Sequence, residues 1–244
     1  MFGPSFTEGG AYQLNPLERL QPPSIAHPFG TDHLGRDVLA RVAAGARTTL
    51  LATFLIVGGA LVISIAVGLI AGLSGRIVDT ILMRLIDVVL AIPDLVIALA
   101  VLGILGPGFG NLLLALTVAS WAYLGRLARI HVVQSRDRPD IWADQLAGVS
   151  TARIVAGHIL PHLVAQLSVV ATLRVGGVVM SFAGLSFLGL GAEPGSAEWG
   201  AQLAEARIYM FQAPWMVIAP AGCILWTIAA TNLCADALRD GSKA

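Results

Sequence analysis

From Thr48 to Leu73 the chain carries no charged side chain. A helix rises about 1.5 Å per residue and needs roughly 20 apolar residues to cross a hydrocarbon core of about 30 Å. This run therefore has length to spare for one crossing, and Gly58, Gly59, Gly68 and Gly72 within it permit close helix contact. Composition generalises the point. Hydrophobic residues make up 56% of the 244 residues, charged residues 12%, and mean hydropathy is +0.79, against about 25% charged for an ordinary soluble domain. A chain this apolar could not keep a soluble surface wetted, so the fold class is an all-α membrane protein, a polytopic helical bundle. The net charge of zero says nothing about partners, and fourteen of the fifteen basic residues are arginine, with Lys243 the exception. Cys223 and Cys234 lie about three helical turns apart in one apolar stretch, too far for a disulfide within a helix. The first apolar stretch far exceeds the core of a signal peptide.

In chain order, residues 1–46 are polar and rich in proline, an external N-terminal segment, and residues 47–244 form the transmembrane domain. Thr31 or Asp32 is placed to cap a short amphipathic helix through Val38, Leu39 and Val42 that ends at Gly45. A second span is expected over about Thr80 to Leu105. It contains Arg84, Asp87 and Asp94, and such charges cost on the order of 3 kcal/mol each near the bilayer centre, so they should face partners or water. Arg84 and Asp87 are spaced to pair on one helical face, and Pro93 should kink the span halfway. A third span starts at Asn111, a fourth covers about Leu163 to Leu185 around Arg174, and a fifth runs from about Pro214 to Leu238. Arginines in short loops set orientation. The interval with Arg126, Arg129, Arg136, Arg138 and Arg153 is then cytoplasmic, together with Arg76 and the C-terminal tail. The N-terminal segment falls outside despite Arg19, Arg36, Arg41 and Arg47, and a further span ahead of residue 1 would remove that conflict.

The interval from Arg126 to Pro161 is the longest polar stretch between spans. It reads as a helix over Asp140 to Ala147, a break at Gly148 and a second helix over Thr151 to Ile159 capped by Ser150 or Thr151, with Pro161 at the entry to the next span. Physically this is either a lever that passes force from a partner to two spans, or an amphipathic connector resting arginines on lipid headgroups.

At these residues the chain resembles the inner-membrane permease subunits of ABC importers, in the group that handles dipeptides, oligopeptides and nickel. That family carries a loop of the form Glu-Ala-Ala, three residues, Gly, nine residues, Ile-x-Leu-Pro. Gly148 and Leu160-Pro161 match its frame, with His158 at the isoleucine position. Further matches are HPFGTDHLGRDVL from His27, GARTTLL from Gly45, ATLRVGG from Ala171, GLSFLGLG from Gly184, EWG from Glu198, EAR from Glu205, APW from Ala213 and DALRD from Asp236. The resemblance implies a type I ABC importer permease fold and a coupling loop over 131–161 that docks on an ATPase through Trp142, Ala143, Asp144, Gly148, His158, Leu160 and Pro161. It also implies a binding-protein-facing segment with Phe29, Asp32, Arg36 and Asp37. Arg84, Asp87, Asp94 and Arg174 become candidates for the translocation path or for pairing between spans. Two features depart from the family. Trp142 stands where the coupling glutamate is expected, and Asp144, two residues on, points elsewhere on the helix. The family usually has six spans, one of them before the HPFGTD stretch, where this chain begins.

The implied partners are a homologous second permease, two ATP-binding subunits, an extracytoplasmic substrate-binding protein and the lipid of the cell's inner membrane, with no nucleic acid. No cofactor is expected on this chain. It has no Gly-x-x-x-x-Gly-Lys-Ser/Thr loop, so ATP and magnesium would belong to the partner subunits and the chain would be a transporter subunit rather than an enzyme. Peptide import is the first expectation for the cargo and nickel import the alternative, because His27, His33, His131, His158 and His162 all lie at or beyond span ends rather than in a ligand cluster. The rivals are a stand-alone channel, which would not need the loop, and an intramembrane hydrolase, for which Asp87 and Asp94 on one helical face are the one carboxylate pair available.

Overall fold

The charge-free run proves to be the inner part of a longer helix. In the computed structural model, which describes residues 11–191 and 195–241, α1 extends from Val38 to Leu73 over 36 residues. Its start is set by Asp37, whose Oδ1 accepts from the Ala40 N–H at 2.8 Å, a side-chain cap for a donor the helix itself leaves unpaired. Neither Thr31 nor Asp32 caps it. The Asp32 carboxylate instead closes a turn on the N–H groups of Leu34 and Arg36 at 2.8 and 3.0 Å. Gly45 does not end the helix either. A methyl group there would overlap the Ala197 carbonyl and crowd the Trp199 ring, so the glycine serves close approach rather than termination.

The second expected span is broken. Helices α2 (Arg76–Leu90) and α3 (Asp94–Leu105) meet at 93° across Pro93. Pro93 offers no N–H to continue α2, while its carbonyl accepts from Val96 and Ile97 and so opens α3. The bend corrects the reading of Asp87 and Asp94 as neighbours on one face, because they belong to two different helices. The expected Arg84–Asp87 pair is also not formed: Arg84 is exposed and Asp87 pairs with Arg126.

Helix α4 spans Phe109–Arg136, α5 is the short Pro139–Leu146, and α6 runs from Thr151 to Phe187. The stretch read as a separate helix over Thr151 to Ile159 is the first part of α6. Residues Val155–Ile159 form a π turn in which the Leu160 N–H reaches the Val155 carbonyl, and that widening accommodates Pro161, which has no N–H to donate and whose ring would crowd a regular turn. Helix α7 (Trp199–Ala206) and α8 (Trp215–Gly241) complete the chain. Among the described residues, four helices are long and apolar enough to cross a membrane, and five spans result if α2 and α3 count as one broken span.

The chain divides into two compact units. The first comprises Met1–Leu55, Ala100–Leu114 and Val175–Thr231. Within it Val38 and Val42 of α1 pack with Ala206, Ala213 and Met216, and the Trp199 indole donates to the Val42 carbonyl at 2.9 Å. The second comprises Ile56–Leu99, Ala115–Arg174 and Asn232–Ala244. There α1 and α4 approach so closely at Gly68 that a methyl would overlap Ala128. The Ser64 hydroxyl donates to the Trp121 carbonyl at 2.8 Å in the same helix pair.

Candidate functional site

The polar interval folds as two helical pieces joined by a left-handed glycine. Gly148 has φ +77°. Its N–H reaches the Gln145 carbonyl at 3.1 Å, and the Val149 N–H reaches the Asp144 carbonyl at 3.0 Å. This pair of bonds is a Schellman ending, which satisfies carbonyls that the end of α5 would otherwise leave open. The Ser150 carbonyl then accepts from Arg153 and Ile154 to start α6. The module is rooted by apolar side chains. Ile141, Ile154 and Ile159 are buried with Leu163 and Leu167 of α6 and with Ala128 and Val132 of α4, and full burial of each isoleucine contributes roughly 1.5–3 kcal/mol.

What the module presents outward is also apolar. Trp142 is 55% exposed and Leu146 90% exposed, and Ala143 and Gly148 lie open beside them. Asp144 does not join that face. Its Oδ2 meets the His158 Nε2 at 3.1 Å, so the carboxylate bridges α5 to the π turn. Leu160 and Pro161 continue into α6, where Pro161 is exposed. Gly148 as the break follows from the sequence, whereas Pro161, expected at the entry to the span, lies inside the continuous α6. The Asp144–His158 bridge and the exposure of Leu146 were not legible in the sequence, because both depend on how α5 is rotated against α6.

The charges within spans resolve into specific pairs of the second unit. Arg129 grips Asp79 through two bonds of 3.0 and 2.6 Å, and Arg126 pairs with Asp87. Arg174 Nη2 lies 2.8 Å from Asp94 Oδ2, and its guanidinium sits over the Tyr123 ring, 5.6 Å from the centroid. Asp87, Asp94 and Arg174 stand out in the sequence as charges within spans, whereas their partners Arg126 and Tyr123, both on α4, are set by how the helices pack.

A third group belongs to the first unit. Arg36 Nε meets Asp32 Oδ2 at 2.6 Å and its Nη2 meets Glu205 Oε2 at 2.7 Å. Arg41 joins both acids, at 3.6 Å from Asp32 and 3.1 Å from Glu205, and donates to the Ser196 carbonyl. Asp37 holds the His27 Nδ1 at 2.7 Å. Asp32, Arg36 and Asp37 are therefore buried, and their charged groups brace this segment from within. Of that set Phe29 alone is exposed. Burial lowers the pKa of the His33 imidazole, which stacks on the Tyr209 ring at 5.2 Å. Asp32, His33 and Glu205 bring ligand atoms within 4.8 Å of one another. Both carboxylates are already neutralised by two arginines, however, and a divalent cation would have to displace them. Glu198 caps α7 by accepting from Gly200 and Ala201, both at 2.8 Å. Burial pushes its carboxyl up, against the downward pull of those two N–H groups.

The family model for the inner membrane component of binding-protein-dependent transport systems matches residues 64–241, which includes the whole module from Pro139 to Ile159. The chain belongs to this family. It is a multi-pass membrane protein and an ABC importer permease subunit. It is 40% identical over 240 residues to a dipeptide transport system permease protein of Alkalihalophilus pseudofirmus, covering 98% of this chain and 79% of that protein. A di/tripeptide transport system permease protein of Pseudomonas aeruginosa is 40% identical over 229 residues, covering 94% of this chain and 76% of its own length. A probable D,D-dipeptide transport system permease protein of Escherichia coli is 36% identical over 240 residues, covering 98% and 80%. Among solved structures, a chain of the MetNI methionine ABC transporter in an inward-facing conformation superposes with a TM-score of 0.62 at 18% identity. That match covers 82% of this permease and 95% of that chain, a likeness of fold.

Proposed function

We propose that this permease moves di- or oligopeptides across the cytoplasmic membrane, driven by ATP hydrolysis in partner subunits. The observation that carries the coupling part is the module Pro139–Ile159, which buries Ile141 and Ile154 against two spans while leaving Trp142 and Leu146 open. A partner seated on Trp142, Ala143 and Leu146 would push α5, and the shared core with Ala128, Val132 and Leu163 would pass the displacement to α4 and α6, because packed cores shift between discrete arrangements rather than deform continuously. Trp142 supplies apolar contact area where the family's loop carries a glutamate, and Asp144 with His158 keeps α5 in register against the start of α6. The peptide cargo is supported by the relatives named for dipeptide and di/tripeptide transport at 36–40% identity.

In this reading the loop faces the cytoplasm. The N-terminal segment lies outside beneath a substrate-binding protein, with Phe29 on the open surface and the Asp32–Arg36–Glu205 network as its internal brace. Two ATP-binding subunits supply the energy, and a homologous second permease forms the other wall of the path. Alternating access follows ATP binding by those subunits, with the free energy entering through α5. The test is uptake of labelled dipeptide by cells with and without this subunit. Uptake should require it, and undiminished uptake in the deletion strain would refute the proposal.

A further inference from the structure

Three residues from the middles of three different spans meet in the second unit. Arg174 lies halfway along the stretch Leu160–Phe187 and is the one Asp, Glu, Lys or Arg in it. Tyr123 lies halfway along α4, and Asp94 stands at the break between α2 and α3, the one such charge in α3. The Arg174–Asp94 pair is closed at 2.8 Å and the guanidinium rests on the Tyr123 ring. It is not sealed between helices. The Arg174 side chain is 32% exposed and that of Asp94 44% exposed, and Tyr123 is 43% exposed. A charge pair open to hydrocarbon at that depth would be costly, so its open side should face a polar path through the protein.

We propose that Arg174 and Asp94, with Tyr123 behind the guanidinium, form a mid-span site for the charged ends of a short peptide. Arg174 takes the terminal carboxylate and Asp94 the terminal ammonium. This inference rests on the peptide reading above and deepens it.

The chemistry favours exchange. A zwitterionic peptide enters a site whose own charges cancel, and each side chain trades one opposite charge for another, so no net charge is added at the centre of the membrane. The guanidinium offers a planar pair of donors to a carboxylate. Tyr123 keeps the cation in place when Asp94 leaves it, because the ring face attracts the guanidinium independently of the carboxylate. The break at Pro93 contributes as well. Asp94 sits at the first turn of α3, where the chain direction changes by 93°, so its carboxylate is carried at a bend rather than within a continuous helix. Broken helices at the membrane midplane are a recurring way for transporters to bring charged and backbone groups to a substrate. The other intramembrane pairs lack this combination: Arg129–Asp79 is a two-bond clamp near the end of α4, and Arg126–Asp87 has no aromatic ring beneath it among the described residues.

The test uses the complete transporter with its binding protein in proteoliposomes and a labelled dipeptide. Arg174→Gln and Asp94→Asn should each raise the ATP hydrolysed per dipeptide delivered by at least about tenfold. The reciprocal double variant, Asp94→Arg with Arg174→Asp, should assemble and yet remain as defective, since a pair that merely braces two helices would be restored by the exchange. Independently of folding effects in those variants, Ile97→Cys, one turn along α3 from Asp94 and partly exposed, in a Cys223→Ser, Cys234→Ser background that keeps Arg174 and Asp94 should react with a membrane-impermeant charged thiol reagent, and saturating dipeptide should slow that reaction. Restoration by the reciprocal exchange, unchanged ATP use in the single variants, or a cysteine that is unreactive or unprotected would each overturn the site. Absence of dipeptide uptake by the wild-type transporter would overturn the peptide reading itself, and the two failures are thus distinguishable.

Discussion

Gly148 allows the coupling geometry to be tested by backbone conformation alone. Its φ is +77°, and a Cβ built there meets nothing within 4 Å. Any penalty for a larger residue therefore comes from the left-handed conformation, about 1–2 kcal/mol for an ordinary L-residue. A penalty of that size changes the population of the native knee between α5 and α6 by roughly 5- to 30-fold. Asparagine tolerates this conformation best after glycine, and a β-branched residue tolerates it poorly. Proline is excluded outright: its φ is locked near about −65° and it lacks the N–H that reaches the Gln145 carbonyl. Coupling, measured as ATP hydrolysis stimulated by peptide-loaded binding protein in the reconstituted complex, should therefore fall in the order Gly, Asn, Ala, Val, Pro, with the proline variant uncoupled. Equal impairment of Asn and Val, or wild-type coupling with Pro, would show that the Schellman geometry at Gly148 does not transmit the motion.

Other substitutions separate packing from conformation. Gly45→Ala drives a methyl into the Ala197 carbonyl and should destabilise by about 1–3 kcal/mol. Gly58→Ala on the same helix meets nothing and should be neutral or stabilising by up to about 1 kcal/mol, by thermal melting of the purified chain in detergent. Glu198→Ala removes the cap on Gly200 and Ala201 and should cost about 1–2 kcal/mol in the same assay, with Gln intermediate. His33, its pKa lowered by burial, binds fewer protons in the folded than in the unfolded chain. Its contribution is complete above about pH 6.5 and is lost as pH falls through the folded value. The melting temperature should accordingly drop more steeply between neutral and mildly acidic pH in wild type than in His33→Asn. Trp142→Ala should weaken association with the ATP-binding subunits about tenfold, or about 1.4 kcal/mol, in a titration of purified components.

Features that a single residue type dictates were readable in advance. The charge-free run from Thr48 guaranteed a span, Pro93 a break, and Gly148 a change of chain direction, because each acts through local backbone chemistry or through the length needed to cross lipid. Gly45 and Pro161 misled for the same reason. Both look like local stops, yet Gly45 answers a close approach by Ala197 from far along the chain, and a π turn absorbs Pro161. Charge pairing was the least legible. Spacing suggested Arg84 with Asp87, whereas Asp87 finds Arg126 on another helix. Glu205, distant in sequence from the HPFGTD stretch, draws Arg36 into a buried network. Asp144 was readable as a departure from the family's loop, but its bond to His158 appears only once α5 is seen folded back against the π turn.

The most direct test of coupling through α5 is site-specific disulfide cross-linking between Trp142→Cys or Leu146→Cys and cysteines placed on the ATP-binding subunit in the intact transporter, in a Cys223→Ser, Cys234→Ser background. Both positions should cross-link, with yields that change when ATP is bound, and Ile141→Cys, on the buried side of the same helix, should not. Peptide transport driven by ATP while Trp142→Cys and Leu146→Cys remain uncross-linked and freely reactive with soluble thiol reagent in every nucleotide state would contradict coupling through α5.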